Sequence, residues 1–127
     1  MAGPRAFISF QMEDRWAREL LVGQARNRLT TIAFSDYSLR EPFTEKWKTN
    51  CRARIARTNG TIVLIGPHTY GSDAVVWEIE ETMRQGHAVF GIQIDAGHPH
   101  RKPRSLPAAN VIGWEWSKIT RRLATWV

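Results

Sequence analysis

Residues 61–86, TIVLIGPHTYGSDAVVWEIEETMRQG, decide the fold class. Ile62 to Ile65 form a continuous apolar run, the pattern of a strand buried on both faces, as in a parallel sheet. Gly66-Pro67 stops that strand, and Gly71-Ser72-Asp73 offers N-cap chemistry for a helix running from Ala74 to Gln85. Val75, Val76, Ile79 and Met83 make its apolar stripe. At about 100° per residue, Glu78 falls just off the edge of the stripe and Glu81 on the far side. A carboxylate at that edge can look into a crevice beside the sheet, which makes Glu78 the leading candidate for chemistry.

Working outward, the same alternation repeats. RAFISF, Arg5 to Phe10, reads as a first strand. Gln11 to Asp14 turn the chain, and Glu13 and Asp14 suit the positive start of a helix that runs to about Arg28. Trp16, Leu20, Leu21 and Gln24 have close to helical spacing there. Thr30 to Phe34 form a second strand, ended by Ser35-Asp36-Tyr37-Ser38, with Leu39 to Pro42 completing a loop. Phe43, Trp47, Cys51 and Ile55 recur every four residues, an amphipathic helix closed by Asn59-Gly60. After the central unit come a strand from His87 to Ile94, a Gly- and Pro-rich loop from Asp95 to Pro107, a short strand from Asn110 to Trp114, and a helix from Glu115 to Trp126. Strands alternating with helices predict an α/β fold with a doubly wound parallel sheet of five strands, helices on both faces and strand order 2-1-3-4-5. In such sheets ligands bind outside the carboxyl ends of the strands. Phe10, Gln11, Ser35, Asp36 and Gly66 to His68 stand at that edge.

A length of 127 residues suits one domain spanning residues 1–127. No apolar stretch approaches the roughly eighteen residues of a membrane span, and MAGPRAF lacks a signal-peptide pattern. Cys51 is the single cysteine, so disulfides and cysteine-ligated zinc are excluded and a cytoplasmic protein is expected. The net charge of +6 is dispersed, and its densest cluster, Arg52, Arg54 and Arg57, reads as a solvated helix face. Nucleic acid is therefore not the expected partner.

The usual phosphate-binding and nucleophile motifs are missing: there is no GxGxxG, no GxxxxGK[ST] and no GxSxG. His98 and His100, two residues apart in the Pro-rich loop and without nearby acidic partners, read as a solvated loop, and no metal is expected. His68 follows the third strand as a turn residue able to reach the crevice. Asp36 alone does not make a phospho-acceptor site. What remains is Glu78. One carboxylate can accept hydrogen bonds from ribose hydroxyls and stabilise the positive charge of a breaking glycosidic bond. Cleavage of the nicotinamide–ribose bond of NAD suits that equipment, because nicotinamide leaves as a neutral ring. On spacing alone, an exposed helix glutamate among Glu78, Glu80 and Glu81 is the simpler reading.

Three blocks together resemble the TIR domains. AFISFQMED resembles their opening strand and turn. IAFSDYSLREPFTEKW resembles the second strand, its following aspartate and the BB loop. TIVLIGPHTYGSDAVVWEIE is similar to the third TIR block, VVLSPxYxxSxWCxxE. The resemblance covers roughly residues 5 to 94, and within the family it is closest to the small bacterial TIR-like proteins of the Thoeris anti-phage system, ThsB.

That resemblance implies a flavodoxin-like three-layer fold and NAD as substrate with no cofactor. It implies nicotinamide release with formation of a cyclic or conjugated ADP-ribose signal for a separate effector protein. Aligned on Ser72, the family's catalytic glutamate falls on Glu78. Substrate-binding residues are expected at Ser9, Phe10, Gln11, Asp36, Tyr37, Trp47 and His68. Ala74 and Val75 replace the family tryptophan and cysteine, and Trp77 precedes the glutamate, pointing away from the core toward an assembly surface. Glu41-Pro42 stands where the BB loop has glycine. The alternative is a non-catalytic module that assembles with other TIR domains.

Overall fold

The computed structural model describes residues 4–27, 33–35 (backbone only) and 44–126. Five strands, β1 (Arg5–Ser9), β2 (Ala33–Ser35), β3 (Gly60–Ile65), β4 (Ala88–Gln93) and β5 (Val111–Ile112), form one sheet in the order β2-β1-β3-β4-β5. Every neighbouring pair is parallel. β3 is buried along its whole length, as its unbroken apolar run requires. β5 contributes only two residues to the sheet, and they are half-buried.

Two layers of helix cover the sheet. On one face α1 (Arg15–Asn27) and α4 (Trp116–Ala124) pack through Ala17, Leu21, Ile119 and Leu123 against Ala6, Ile8, Ile62, Leu64, Phe90 and Ile92. On the other face α3 (Asp73–Arg84) buries Val75 and Ile79 against Val63, Ile65 and Val89. Beside it α2 (Glu45–Ala56) buries Trp47, Cys51 and Ile55 against Phe7. The alternation of side chains along β1 thus sends Phe7 and Ser9 to the α2/α3 face, and Ala6 and Ile8 to the α1/α4 face.

Local chemistry fixes the ends of α3. The Ser72 hydroxyl accepts a hydrogen bond from the Val75 amide at 3.2 Å, a side-chain N-cap. At the other end Gly86 has φ of +76°, the left-handed conformation that glycine adopts without steric cost. α2 is capped the same way, with the Thr44 hydroxyl accepting from the Trp47 amide at 3.3 Å.

Several local expectations are corrected. In α1 the buried line is Ala17, Leu21 and Ala25, while Trp16 and Leu20 are exposed. Leu21 is thus the one residue of the expected spacing that the helix buries fully, and the small Ala17 and Ala25 beside it let the helix lie close to the sheet. Asn59-Gly60 does not close α2, which ends at Ala56; the Thr58 hydroxyl donates to the Ile55 carbonyl at 2.7 Å there. Gly60 instead opens β3, where a Cβ would stand 2.6 Å from the Ala88 carbonyl oxygen and 2.9 Å from the Trp126 ring. Met83 lies on the exposed side of α3 rather than in its stripe. Residues 28–32, which include the start of the expected second strand, lie outside the described residues.

Candidate active site

Glu78 stands where three elements meet. Its side chain leaves α3 toward the last residue of β1, and the Ser9 hydroxyl donates to Oε1 at 2.7 Å. From α2, the Cys51 thiol donates to Oε2 at 3.5 Å. The residue is 5% exposed, so the simpler reading of an exposed helix glutamate is corrected, and the stripe-edge position expected to look into a crevice is covered by neighbouring side chains. The reason lies in the packing of α2 and α3: Cys51 and Ala74 are small, and the helices close over the end of the stripe.

Burial sets the electrostatics. The Glu78 carboxyl is pushed up to about 8 by desolvation, against which the Ser9 and Cys51 hydrogen bonds work only in part. No cation pairs with it among the described residues. The Cys51 thiol is held far above its ordinary value, by burial first and by the neighbouring Glu78 next, so it serves as a neutral donor. The backbone carbonyl of Glu78 is engaged as well. It accepts from the Thr82 hydroxyl at 2.7 Å, and Thr82 in turn meets the Thr61 hydroxyl of β3 at 2.7 Å.

Trp47 is 4% exposed and belongs to the apolar wall beside this group. Trp77 packs against it, ring centroids 5.3 Å apart at 60°, and the Arg52 guanidinium lies over the Trp77 ring at 5.6 Å. Trp77 therefore closes the seam between α2 and α3, which corrects its expected place on an outward assembly surface. Arg52 is exposed on its helix face, as expected, and it also pairs with Glu81 at 3.5 Å.

The other expected site residues divide. Phe10 is buried in the cluster under α1 and α4, on the sheet face opposite Ser9 and Glu78. Gln11 precedes a short 3-10 turn at Met12–Asp14, where its carbonyl accepts from the Asp14 amide at 2.8 Å. His68 is exposed, with Nδ1 2.7 Å from Glu13 Oε1. Asp36 and Tyr37 lie outside the described residues.

A second polar group gathers at the carboxyl edge, unforeseen in the sequence. Asp14 is buried against Gly66, where a Cβ would collide with its carboxylate, and its Oδ2 has no hydrogen-bond partner among the described residues. Burial first, and then Glu13, raise its pKa, opposed by His100 and by the Thr69 hydroxyl. His100 is not a solvated loop residue without acidic partners. Its Nε2 lies 2.5 Å from Asp95 Oδ2, and the Gln93 side chain ties both its backbone N–H and its carbonyl at 2.8 Å. Asp95, five residues before His100 at the end of a predicted strand, was the available signal. Among the described residues no group of three or more His, Cys, Asp or Glu is placed to hold a metal ion. None of the described helices is long and apolar enough to cross a membrane.

Comparison with known proteins agrees with this fold. Residues 7–98 match the family described as Thoeris protein ThsB, TIR-like domain. Among solved structures, the TIR domain of the Toll-related receptor TRR-2 from Hydra magnipapillata is similar, with 18% identity and a TM-score of 0.69, over 94% of this chain and 97% of that one. A prokaryotic SEFIR domain is similar at 12% identity and a TM-score of 0.54, over 97% of this chain and 89% of that one. At those identities the likeness concerns the fold alone. No curated protein sequence matches significantly.

Proposed function

Given that the chain belongs to the TIR-like domain family of Thoeris ThsB, we propose that it cleaves NAD, releasing nicotinamide and forming a cyclic or conjugated ADP-ribose signal that acts on a separate effector protein in anti-phage defence. The observation that carries this reading is Glu78, a buried carboxyl held between a hydroxyl and a thiol, with no cation to neutralise it among the described residues. Perturbed carboxyls of this kind concentrate at functional sites.

In its ionised form Glu78 has lone pairs beyond those used by Ser9 and Cys51, and these can accept from ribose hydroxyls. As the bond from the anomeric carbon to the nicotinamide nitrogen breaks, the bonding pair leaves with the ring. Positive charge builds on the ribose, and a nearby carboxylate stabilises it. A hydroxyl of the same nucleotide, or of the molecule being conjugated, then forms the new bond to the anomeric carbon and loses its proton to solvent. Ser9 and Cys51 hold the carboxylate in place, and Trp47 contributes to an apolar wall that strengthens its field. Of the other expected contacts, Gln11 and His68 stand at the carboxyl edge where the rest of the nucleotide would extend. The test is direct: purified protein is incubated with NAD, alone and at concentrations that favour self-association, and nicotinamide is measured. Steady nicotinamide release supports the reading.

A second reading, a non-catalytic module that assembles with other TIR domains, is favoured by the same residue seen differently. At 5% exposure, with neutral donors on both oxygens, Glu78 also fits a purely structural polar group. Protein silent toward NAD in every assembly state, yet self-associating, decides for the module.

A further inference from the structure

We propose that the depression between Tyr70 and the loop after β4 binds the diphosphate of a nucleotide, with Arg101, Lys102 and Arg104 holding the phosphates and Tyr70 the nucleoside. The depression has a volume of about 470 Å³ and is lined by those four residues. That size falls within the usual range of small-ligand sites. Three cations converge on it, and among the described residues no carboxylate pairs with any of them. Converging like charges repel one another, and an anion between them removes that cost. Elsewhere on the protein basic residues do find acidic partners, as Arg15 does with Glu19 and Lys118 with Glu115.

The loop presenting these cations is anchored from both ends. Gln93 clamps the backbone of His100 through two 2.8 Å hydrogen bonds, and His100 pairs with Asp95. Leu106 is completely buried in the core under α3, and its amide donates to the Pro103 carbonyl at 3.1 Å. Arg101, Lys102 and Arg104 therefore project from a fixed backbone, which reduces the entropy lost when they close on a ligand.

The chemistry of the lining selects the ligand class. Guanidinium forks take phosphate oxygens in pairs, and the lysine adds a point charge, so two linked phosphates suit three cations better than one. Tyr70 is 41% exposed, and Arg101 lies over its ring at 5.2 Å. Arg101 takes one face of the ring, and the exposed remainder of Tyr70 is the aromatic surface on which a base or ribose can rest. A single aromatic in a compact depression is a poor match for a nucleic-acid strand, which needs successive stacking platforms along a basic groove.

The inference does not rest on NAD cleavage, since binding is read with ADP, which has no nicotinamide to release. Isothermal titration of the full chain with ADP, adenosine and inorganic pyrophosphate should show ADP binding, adenosine at least about tenfold weaker, and pyrophosphate in between. The double variant Arg101→Gln/Arg104→Gln should weaken ADP by about tenfold or more, and Arg101→Lys/Arg104→Lys by less. Tyr70→Ala should weaken ADP while leaving pyrophosphate unchanged. Thermal melts identify any variant that fails to fold, and the wild-type titrations stand without them. The proposal is overturned by an absence of ADP binding at millimolar concentration, or by binding unchanged in the double glutamine variant. Pyrophosphate bound as tightly as ADP removes the nucleoside half and overturns the nucleotide assignment. A single-stranded oligonucleotide bound more tightly than ADP overturns it in favour of nucleic acid.

Discussion

Glu78 and Glu81 lie one turn apart on α3, both with under a tenth of their surface exposed, and they have opposite electrostatics. Glu78 meets a hydroxyl and a thiol, and burial drives its carboxyl up to about 8. For Glu81 burial also pushes upward. There, hydrogen bonds from Arg84 and Gln85 and the charges of Arg84 and Arg52 more than reverse it, and its pKa is lowered. The Arg84 guanidinium reaches both oxygens, at 2.6 and 2.7 Å. Burial thus does not decide the charge of a carboxyl; its partners do. Glu81 is spent on joining α3 to α2, whereas Glu78 is left neutral near pH 7 with its charge in reserve.

The largest expected effect tests that reserve. Glu78→Gln keeps shape and hydrogen-bonding reach but cannot ionise. Nicotinamide release should fall by about 10²-fold or more, roughly 2.7 kcal/mol in barrier. Glu80→Gln, on the exposed side of α3, is the control and should leave the rate unchanged. The same variant has a stability signature. Below about pH 4.5 Glu78 is protonated in both folded and unfolded chains. As pH rises toward 8 the unfolded chain loses the proton while the fold retains it, so wild type loses stability over that window and then levels off. Glu78→Gln should escape this loss and gain on wild type by a few kcal/mol by pH 8, measured by urea unfolding. A variant that is less stable than wild type at pH 8 breaks the account of a carboxyl strained by desolvation.

A further measurement sharpens the contrast. If catalysis uses the ionised form, kcat/KM should rise about tenfold per pH unit below 8 and reach a plateau above it. A profile flat from pH 6 to 9 removes the titration of Glu78 from the mechanism.

The contrast between the two glutamates was only half legible in the sequence. The α/β pattern was open to view, since Ile62–Ile65 and the turn residues after it specify a buried parallel strand leading into a capped helix. The i, i+4 recurrence of Trp47, Cys51 and Ile55 likewise named the inward face of α2. Position on a helical wheel nevertheless placed Glu78 at an edge and Glu81 outside. Both are buried because α2 lies across that side of α3, and a wheel carries no information about which neighbour covers a face. The donors Ser9 and Cys51 come from 69 and 27 residues away, and only the folded register brings them together. Trp77 misled for the same reason, its outward direction being roofed by Trp47 and Arg52. The Asp14 cluster was hidden because it depends on the close approach that Gly66 allows.

A smaller effect is expected at the other carboxylate. Glu81→Gln removes the charge that Arg84 and Arg52 share, but those arginines are 63% and 45% exposed and remain solvated. The loss should be about 1 kcal/mol near neutral pH, with nicotinamide release unaffected. Its sign with pH is opposite to that of Glu78. The lowered pKa contributes stability above about pH 4.5, and that contribution disappears as pH falls through the folded-state value. Wild type and Glu81→Gln should therefore converge in acid. A variant that folds normally but stops releasing nicotinamide would move Glu81 into the active site and collapse the distinction.

An effect of similar size concerns Ser9, whose hydroxyl is the nearer of the two donors to Glu78. Its hydrogen bond favours the charged carboxylate and lowers the pKa from where burial alone would set it. Ser9→Ala deletes one oxygen from a site that is 1% exposed, too little to open a cavity of consequence. The net value of such a bond is about 1 kcal/mol, so Glu78 should become harder to ionise by up to about one pH unit. The inflection of kcat/KM should move upward by that amount, while the plateau at high pH stays close to wild type. At pH 7 the rate then falls up to about tenfold, and raising the pH recovers it. Recovery distinguishes the two roles open to Ser9. A residue that only tunes Glu78 is compensated by alkali. One that itself touches the substrate is not, and a plateau lowered at every pH with an unmoved inflection would transfer Ser9 from positioning the carboxylate to binding the ribose.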